Sequence, residues 1–221
     1  MPDSSIAPST DGIAGLTSTS SWASAEGSAT TAGNSSNFTA TNSTVGVYAR
    51  TIAGGRGGGT TYYCNRSYFA FDVSGESGTI DSATVKIYCR DLGSAVASSL
   101  IIVGADALDG NANDHGNIFS SGTTRHSAYS SGVVIGTGAS YRSFTLNSDG
   151  VTALQSAVGS GAFTCGLVST VFDHGASTPS STYTRSQIYY SETGGSTKDP
   201  VLEIDYEAVS ANNSILFGTN F

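Results

Sequence analysis

Ser82-Ala83-Thr84-Val85-Lys86-Ile87-Tyr88-Cys89-Arg90 alternates without a break. Ala83, Val85, Ile87 and Cys89 fall on one side; Thr84, Lys86, Tyr88 and Arg90 fall on the other. Only a strand places residues i and i+2 on one face in this way. One apolar and one polar face predict a half-buried antiparallel strand lying over a core. Upstream, across a Ser74–Gly78 turn, Thr60 to Val73 reads as a long strand. Tyr63, Phe69 and Phe71 share one of its faces and Tyr62, Cys64 and Tyr68 the other. Further upstream, Val45 to Ile52 alternates and then breaks at Gly54-Gly55-Arg56-Gly57-Gly58-Gly59. That run lacks G-K-[ST] and no helix follows it, so it reads as a hairpin tip and not as a phosphate loop.

Downstream, strands are predicted at Leu100–Val103, Tyr141–Leu146, Phe163–Val171, Gln187–Tyr190 and Val201–Tyr206. Asp106 to Tyr129 is polar and loop-like. Ser148-Asp149-Gly150 can cap a short helix near 149–158, with Val151, Leu154 and Val158 spaced by three and four. The expected fold is all-β: an antiparallel two-sheet sandwich over 45–207 with one short helix and extended terminal arms. Its core should hold Phe69, Phe71, Val85, Ile87, Leu146 and Leu154, together with Leu167, Ile188, Leu202 and Ile204.

Composition agrees. The 221 residues are 38% hydrophobic, enough for a core, but only 12% charged. About a quarter are Ser or Thr and 28 are Gly, which suits short strands joined by many turns. A helix bundle is excluded. The formal charge of -8, with Lys86 and Lys198 the only lysines, disfavours nucleic-acid or anionic-membrane partners. Met1-Pro2-Asp3-Ser4-Ser5 has neither the basic nor the apolar region of a secretory signal. The three cysteines, Cys64, Cys89 and Cys165, lie in apolar runs and read as buried free thiols, with a single disulfide as the alternative.

Residues 1–44 are the most biased stretch, a Ser/Thr/Gly-rich arm that cannot build its own core. It is either disordered or an extended layer on something larger. Trp22 and Phe38 are its large anchors. After the domain, residues 208–221 form an apolar tail carrying Ile215, Leu216, Phe217 and Phe221. These six residues are the expected partner contacts.

Asn65-Arg66-Ser67-Tyr68-Phe69-Ala70-Phe71-Asp72 resembles the Arg-Ser-Tyr-x-x-Phe-Asp strand of DNRLRE-type β-sandwich domains. Ser82 to Tyr88, Phe144-Thr145-Leu146-Asn147 with Gly150, Gln187 to Glu192 and Lys198 to Tyr206 are similar to later motifs of that family, in the same order. The resemblance covers roughly 60 to 207. It implies a jelly-roll-like sandwich found in phage structural proteins, bacterial surface proteins and polysaccharide-binding modules. It implies no catalytic set.

Motifs of catalysis are missing as well. There is no G-x-S-x-G elbow, and His115, His126 and His174 stand in polar stretches away from any Cys or His at ligand spacing. Asp72, Asp81, Glu203 and Asp205 lie on or beside strands, where outward positions and turn capping account for them. No cofactor is expected. Calcium is the one ion the composition offers, through Asp106, Asp109, Asn111, Asn113 and Asp114, whose hard oxygens cluster in one loop. The EF-hand pattern fails there, and Asx-rich turns give the same composition without metal.

The functional expectation is a non-enzymatic virion structural protein of a tailed phage, as capsid decoration or tail- or fibre-associated. It would be made in the host cytoplasm, form a homo-oligomer and contact a major capsid or tail protein. The alternative is a secreted carbohydrate-binding or adhesive surface module, with the eleven tyrosines offering a platform for glycan.

Overall fold

The computed structural model describes residues 2–39, 44–56, 58–94, 97–179, 183–191 and 197–208. The strands are β1 (Ser4–Ile6), β2 (Thr10–Ser18), β3 (Ser35–Asn37), β4 (Thr44–Ala53), β5 (Thr60–Asp72), β6 (Ile80–Asp91) and β7 (Ser99–Gly104). They continue as β8 (Phe119–Ser121), β9 (Thr124–Arg125), β10 (Val133–Val134), β11 (Ser140–Thr145), β12 (Ala162–Ser169), β13 (Tyr183–Ile188) and β14 (Val201–Tyr206). Two short helices, α1 (Trp22–Glu26) and α2 (Ser148–Ala157), accompany a 3₁₀ turn at Ala112–Gly116 and a π-helical turn at Thr170–His174. The chain is an all-β antiparallel sandwich, as the alternation of 82–90 predicts.

Two long strands build it. One edge of β6 pairs with β11, from Thr84↔Thr145 to Cys89↔Ser140. Its other edge pairs first with β14, as far as Lys86↔Val201, and then with β13 from Cys89↔Ile188. The long β5 behaves alike. One edge carries β2 throughout, from Thr10↔Ala70 to Ser18↔Tyr62. The other carries β4 up to Tyr48↔Asn65 and β12 from Leu167↔Ser67 onward. Each strand therefore forks between two partners, and β4 and β13 pair with each other to join the two layers.

Between the layers lies the core. Val85, Ile87 and Cys89 of β6 meet Phe69 and Phe71 of β5 there, with Ile102, Phe144, Leu167, Ile188, Leu202 and Ile204. All ten residues expected in the core are buried. The helix α2 starts at its expected cap, Ser148, because the Asn147 side chain, one residue earlier, accepts the Gly150 N–H at 3.0 Å. The strand expected at Gln187–Tyr190 runs earlier, at Tyr183–Ile188, since its pairing with β4 begins at Tyr183↔Arg50.

The largest departure is at the N-terminus. Residues 10–18 are not a separate arm but a strand of the sheet, and α1 folds back on the outer face of β5. Their small residues are the reason. A Cβ on Gly15 would stand 2.3 Å from the Asn65 side chain, and one on Gly12 would stand 2.6 Å from the Asn37 carbonyl. The Gly-rich composition is thus a demand of close packing against β5 and the 35–38 segment. The tail at 209–221 lies outside the described residues.

Candidate functional site

Side chains of β5 alternate between the central core and the outer face. Phe69 and Phe71 point inward, while Cys64, Arg66 and Tyr68 point outward. Outward is not solvent here. The α1 helix and the 112–116 and 170–174 turns roof this face, making two satellite clusters around Tyr68 and around Trp22. A charged group on that face is buried by the roof, and Arg66 is 0% exposed.

Arg66 sits at the fork where β5 leaves β4 for β12. Its Nε donates to Asp173 Oδ2 at 2.6 Å and its Nη2 to Asp173 Oδ1 at 2.8 Å, a two-pronged fit of guanidinium to carboxylate. The remaining prongs reach backbone carbonyls: Nη2 to Glu26 at 2.8 Å and Nη1 to His115 at 2.6 Å. Tyr68 Oη donates to the same His115 carbonyl at 3.0 Å. One side chain thereby fastens α1, the 3₁₀ turn and the π-helical turn to the sheet.

The electrostatics follow from burial. Burial alone would raise the Asp173 carboxyl, but the charge and hydrogen bonds of Arg66 outweigh it and hold the group below the usual carboxylate range. Arg66 is shifted upward for the reciprocal reason, Asp173 overcoming its loss of water. His115 falls to about 3 through burial and the neighbouring Arg66 charge, so its ring is neutral. Its Nε2 lies 3.1 Å from the Ala25 carbonyl and 3.2 Å from Arg66 Nη1. Glu26 is raised by burial and by Asp173, while its partner Arg125 counteracts both. The two arginines and two carboxylates offset one another in charge.

This arrangement was not read from sequence. Asp173 lies 107 residues from Arg66, and His115 reads as part of a polar loop. The available signal was an Arg on the apolar-flanked strand Cys64–Phe71, a position that demands a buried partner.

Expected site residues divide three ways. Trp22 is 4% exposed and packs on Ala25, Ala49, Cys64 and Phe172 of its own chain. Phe38 is half-buried against Gly12 and the Tyr68 cluster. Trp22 is thus covered by its own chain and Phe38 partly so, because α1 and the 35–38 segment roof β5 and β2. Ile215, Leu216, Phe217 and Phe221 lie outside the described residues.

The expected calcium ligands do meet in one loop, and the side-chain oxygens of Asp114, Asn111 and Asp106 are engaged by the chain. Asp114 accepts the backbone N–H groups of Asp109, Gly110 and Asn111 at 2.8, 2.8 and 3.1 Å, and the Asn117 amide at 3.0 Å. Asn111 accepts the N–H of Asn113. Asp106 turns to His126, with Oδ1 3.0 Å from Nε2. Among the described residues, no three His, Cys, Asp or Glu side chains gather at metal-holding geometry. Cys64, Cys89 and Cys165 are all buried free thiols, shifted upward by burial.

On the opposite, exposed face of β6, Tyr88 meets Tyr141 and Tyr189 edge-on, with ring centres 5.2 and 5.0 Å apart. The Lys198 ammonium lies over Tyr88 and Tyr189 at 5.6 and 5.2 Å. Tyr141 remains 38% exposed. No protein-family model matches the chain, and no curated protein matches it.

Proposed function

We propose that this chain is a non-enzymatic structural protein of a virus particle, a capsid-decorating or tail- or fibre-associated β-sandwich of a tailed phage. One observation carries the reading: the charged groups of the buried constellation are paired with one another. Arg66 meets Asp173, Arg125 meets Glu26, and the remaining Arg66 donors reach backbone carbonyls beneath the roof of β5, while His115 Nδ1 and Arg125 Nε keep no hydrogen-bond partner among the described residues. A general acid or base must reach a substrate proton, whereas these groups fasten chain segments. A sparsely charged sandwich fastened in this way suits a building block that works by shape and contact. The partners in this reading are further copies and a major capsid or tail protein.

The test is mass spectrometry of density-banded particles from the source culture. Peptides of this chain at a fixed ratio to the major capsid protein support the reading. Its absence from banded particles, with the protein recovered free in the medium, overturns it.

The tyrosine cluster favours a second reading, a glycan-binding or adhesive surface module. Tyr88, Tyr141 and Tyr189 with Lys198 place aromatic surface and a cation on an exposed sheet face. Binding on a glycan array that is lost in Tyr141→Ala would select it.

A further inference from the structure

Charge is divided along the sandwich. Strands β4 and β13, β6 from Ser82 to Arg90 and β5 up to Phe71 contain no Asp or Glu, in a chain of seventeen acidic and nine basic residues. On the open face of this region three neighbouring strands bring arginines together. Arg90 of β6 lies opposite Gln187 of β13 and donates to it, Nε to Oε1 at 2.5 Å. Along β13 come Arg185, opposite Tyr48 of β4, and Tyr183, opposite Arg50. Residues two apart on a strand, and residues directly opposite, share a face. Arg185 is exposed, and Arg50 and Arg90 are half-buried. Tyrosines hold the set in place. The Arg50 guanidinium lies 4.8 Å from the centre of the Tyr183 ring and donates to Tyr48 Oη at 3.3 Å, and Tyr48 meets Tyr63 with ring centres 5.7 Å apart. Tyr and Arg are the residues that carry protein–protein interfaces, and side chains already fixed lose little entropy on docking. Asp91, next in sequence to Arg90, is turned to the Gly93 and Ser94 N–H groups at 2.8 Å.

The complement stands at the other end of the same sheet. Asp81 and Arg90 lie near opposite ends of β6, about 30 Å apart at roughly 3.3 Å per residue. Around the 73–79 turn, Asp3, Asp72, Asp81 and Glu207 are exposed, and 1–8, 72–81 and 203–208 contain no Lys or Arg. Asp3, Tyr206 and Glu207 line a depression of about 530 Å³ there. The Tyr206 hydroxyl donates to Glu76 at 2.8 Å, so a flat ring stands beside carboxylates, the surroundings in which a guanidinium stacks and pairs.

We infer that the arginine–tyrosine face docks on the acidic end of a second copy of this chain, so that copies join head to tail. Charge complementarity selects this occupant: the face is basic in a molecule of formal charge -8, and the matching acidic surface belongs to the chain itself. Because the two surfaces differ, each dimer keeps one of each open, and the contact extends into a ring or a filament. The inference rests on the part of the particle reading that names further copies as partners. It is tested on the purified chain, so its failure is separate from absence of the chain from banded particles.

Sedimentation velocity of the full chain over the micromolar range is the test. The wild-type sedimentation coefficient should rise with concentration. Arg90→Glu with Arg185→Glu reverses the face, and Asp81→Lys with Glu207→Lys reverses the acidic end. Each double variant alone should stay monomeric where wild type associates, and their equimolar mixture should associate again. A wild type that stays monomeric, variants that associate like wild type, or a mixture that stays monomeric overturns the inference. Footprinting of the wild type needs no variant: modification of Arg185 by phenylglyoxal and of Glu207 by a carbodiimide-activated amine should fall together as concentration rises. Protection of neither, or of one alone, overturns it too. A monomer whose Arg185 is protected by chondroitin sulfate assigns the face to an acidic glycan instead.

Discussion

Replacing Asp173 with Ala strands the Arg66 guanidinium. In the native fold its Nε and Nη2 meet the two carboxylate oxygens at 2.6 and 2.8 Å, with 0% and 2% of the two side chains exposed. The nearest other acidic group, Glu26, is engaged with Arg125. Water cannot take over without lifting the roof formed by α1 and the two turns. Breaking one side of such a pair costs about 3–5 kcal/mol, because a buried charge is left uncompensated. A natural domain holds only about 5–15 kcal/mol in total, so the variant should retain at most about four fifths of its stability. A control sits on the surface: Lys86 and Glu203 pair at 2.6 Å with side chains 35% and 23% exposed. Glu203→Ala should cost about 0.2–1 kcal/mol. Urea unfolding followed by the fluorescence of Trp22, which abuts the same roof, reads both variants, with far-UV circular dichroism reporting the sandwich. The wild-type pair should also resist acid. Asp173 has a lowered folded value, so its stabilisation is in place above the unfolded value of 3.8 and is lost only as pH falls below it. If Asp173→Ala lost no more stability than Glu203→Ala, the fastening role assigned to Arg66 would be wrong.

Asp11 should show the opposite pH dependence. Burial raises its carboxyl from 3.8 to about 6 despite bonds from the Ser191 N–H and hydroxyl at 2.6 and 2.7 Å. Its contribution is greatest below the unfolded value and falls by about 3 kcal/mol as pH rises through 6, at 1.36 kcal/mol per unit. Asp11→Asn should remove that fall, and parallel wild-type and variant stability curves between pH 4 and 7 would refute the assignment. Gly46→Ala should destabilise by about 1–3 kcal/mol, since its Cβ would stand 2.4 Å from both Ser67 Oγ and Tyr190 Oη, the hydroxyl pair that closes the β5 fork. An unchanged denaturation midpoint would show that the fork yields freely. Millimolar calcium should leave the melting temperature unchanged, because Asp114 already accepts four N–H donors. A rise of several degrees would restore the 106–114 loop as a cation site.

The sandwich was legible where one sheet face meets solvent and the other the core. The 82–90 strand shows this, its polar and apolar positions separating cleanly. Less was legible where a second layer covers the sheet. Leu100, Ile101, Ile102 and Val103 are all buried, so β7, though read as a strand, is a continuous apolar run with no alternation to tell its two faces apart. The 10–18 strand was hidden by the same layering, because Gly12, Ala14 and Gly15 have small side chains to fit beneath their neighbours and such composition reads as arm. The Arg66–Asp173 pair was illegible for a different reason. Its partners belong to a strand and a turn far apart in sequence, and only the fork in β5 brings them together. In the 106–114 loop composition alone could not decide, since a carboxylate ringed by N–H donors has the composition of one ringed around a cation.

The pairing of β1 with β14 bears on how the molecule can be made. Ser4 lies opposite Ile204 and Ile6 opposite Leu202, so the first strand completes its ladder only with the last. The 10–18 strand and β4 meet β5 early, but residues 67–72 of the other edge of β5 wait for residues 162–167. A nascent chain leaving the ribosome therefore holds exposed strand edges until residues 201–206 have been synthesised. Contacts so distant in sequence slow folding and prolong exposure to aggregation. Any stall or truncation before residue 201 leaves β1 without its ladder and β6 open along the edge that β14 would cover. The sandwich therefore closes only once residues 201–206 have been made.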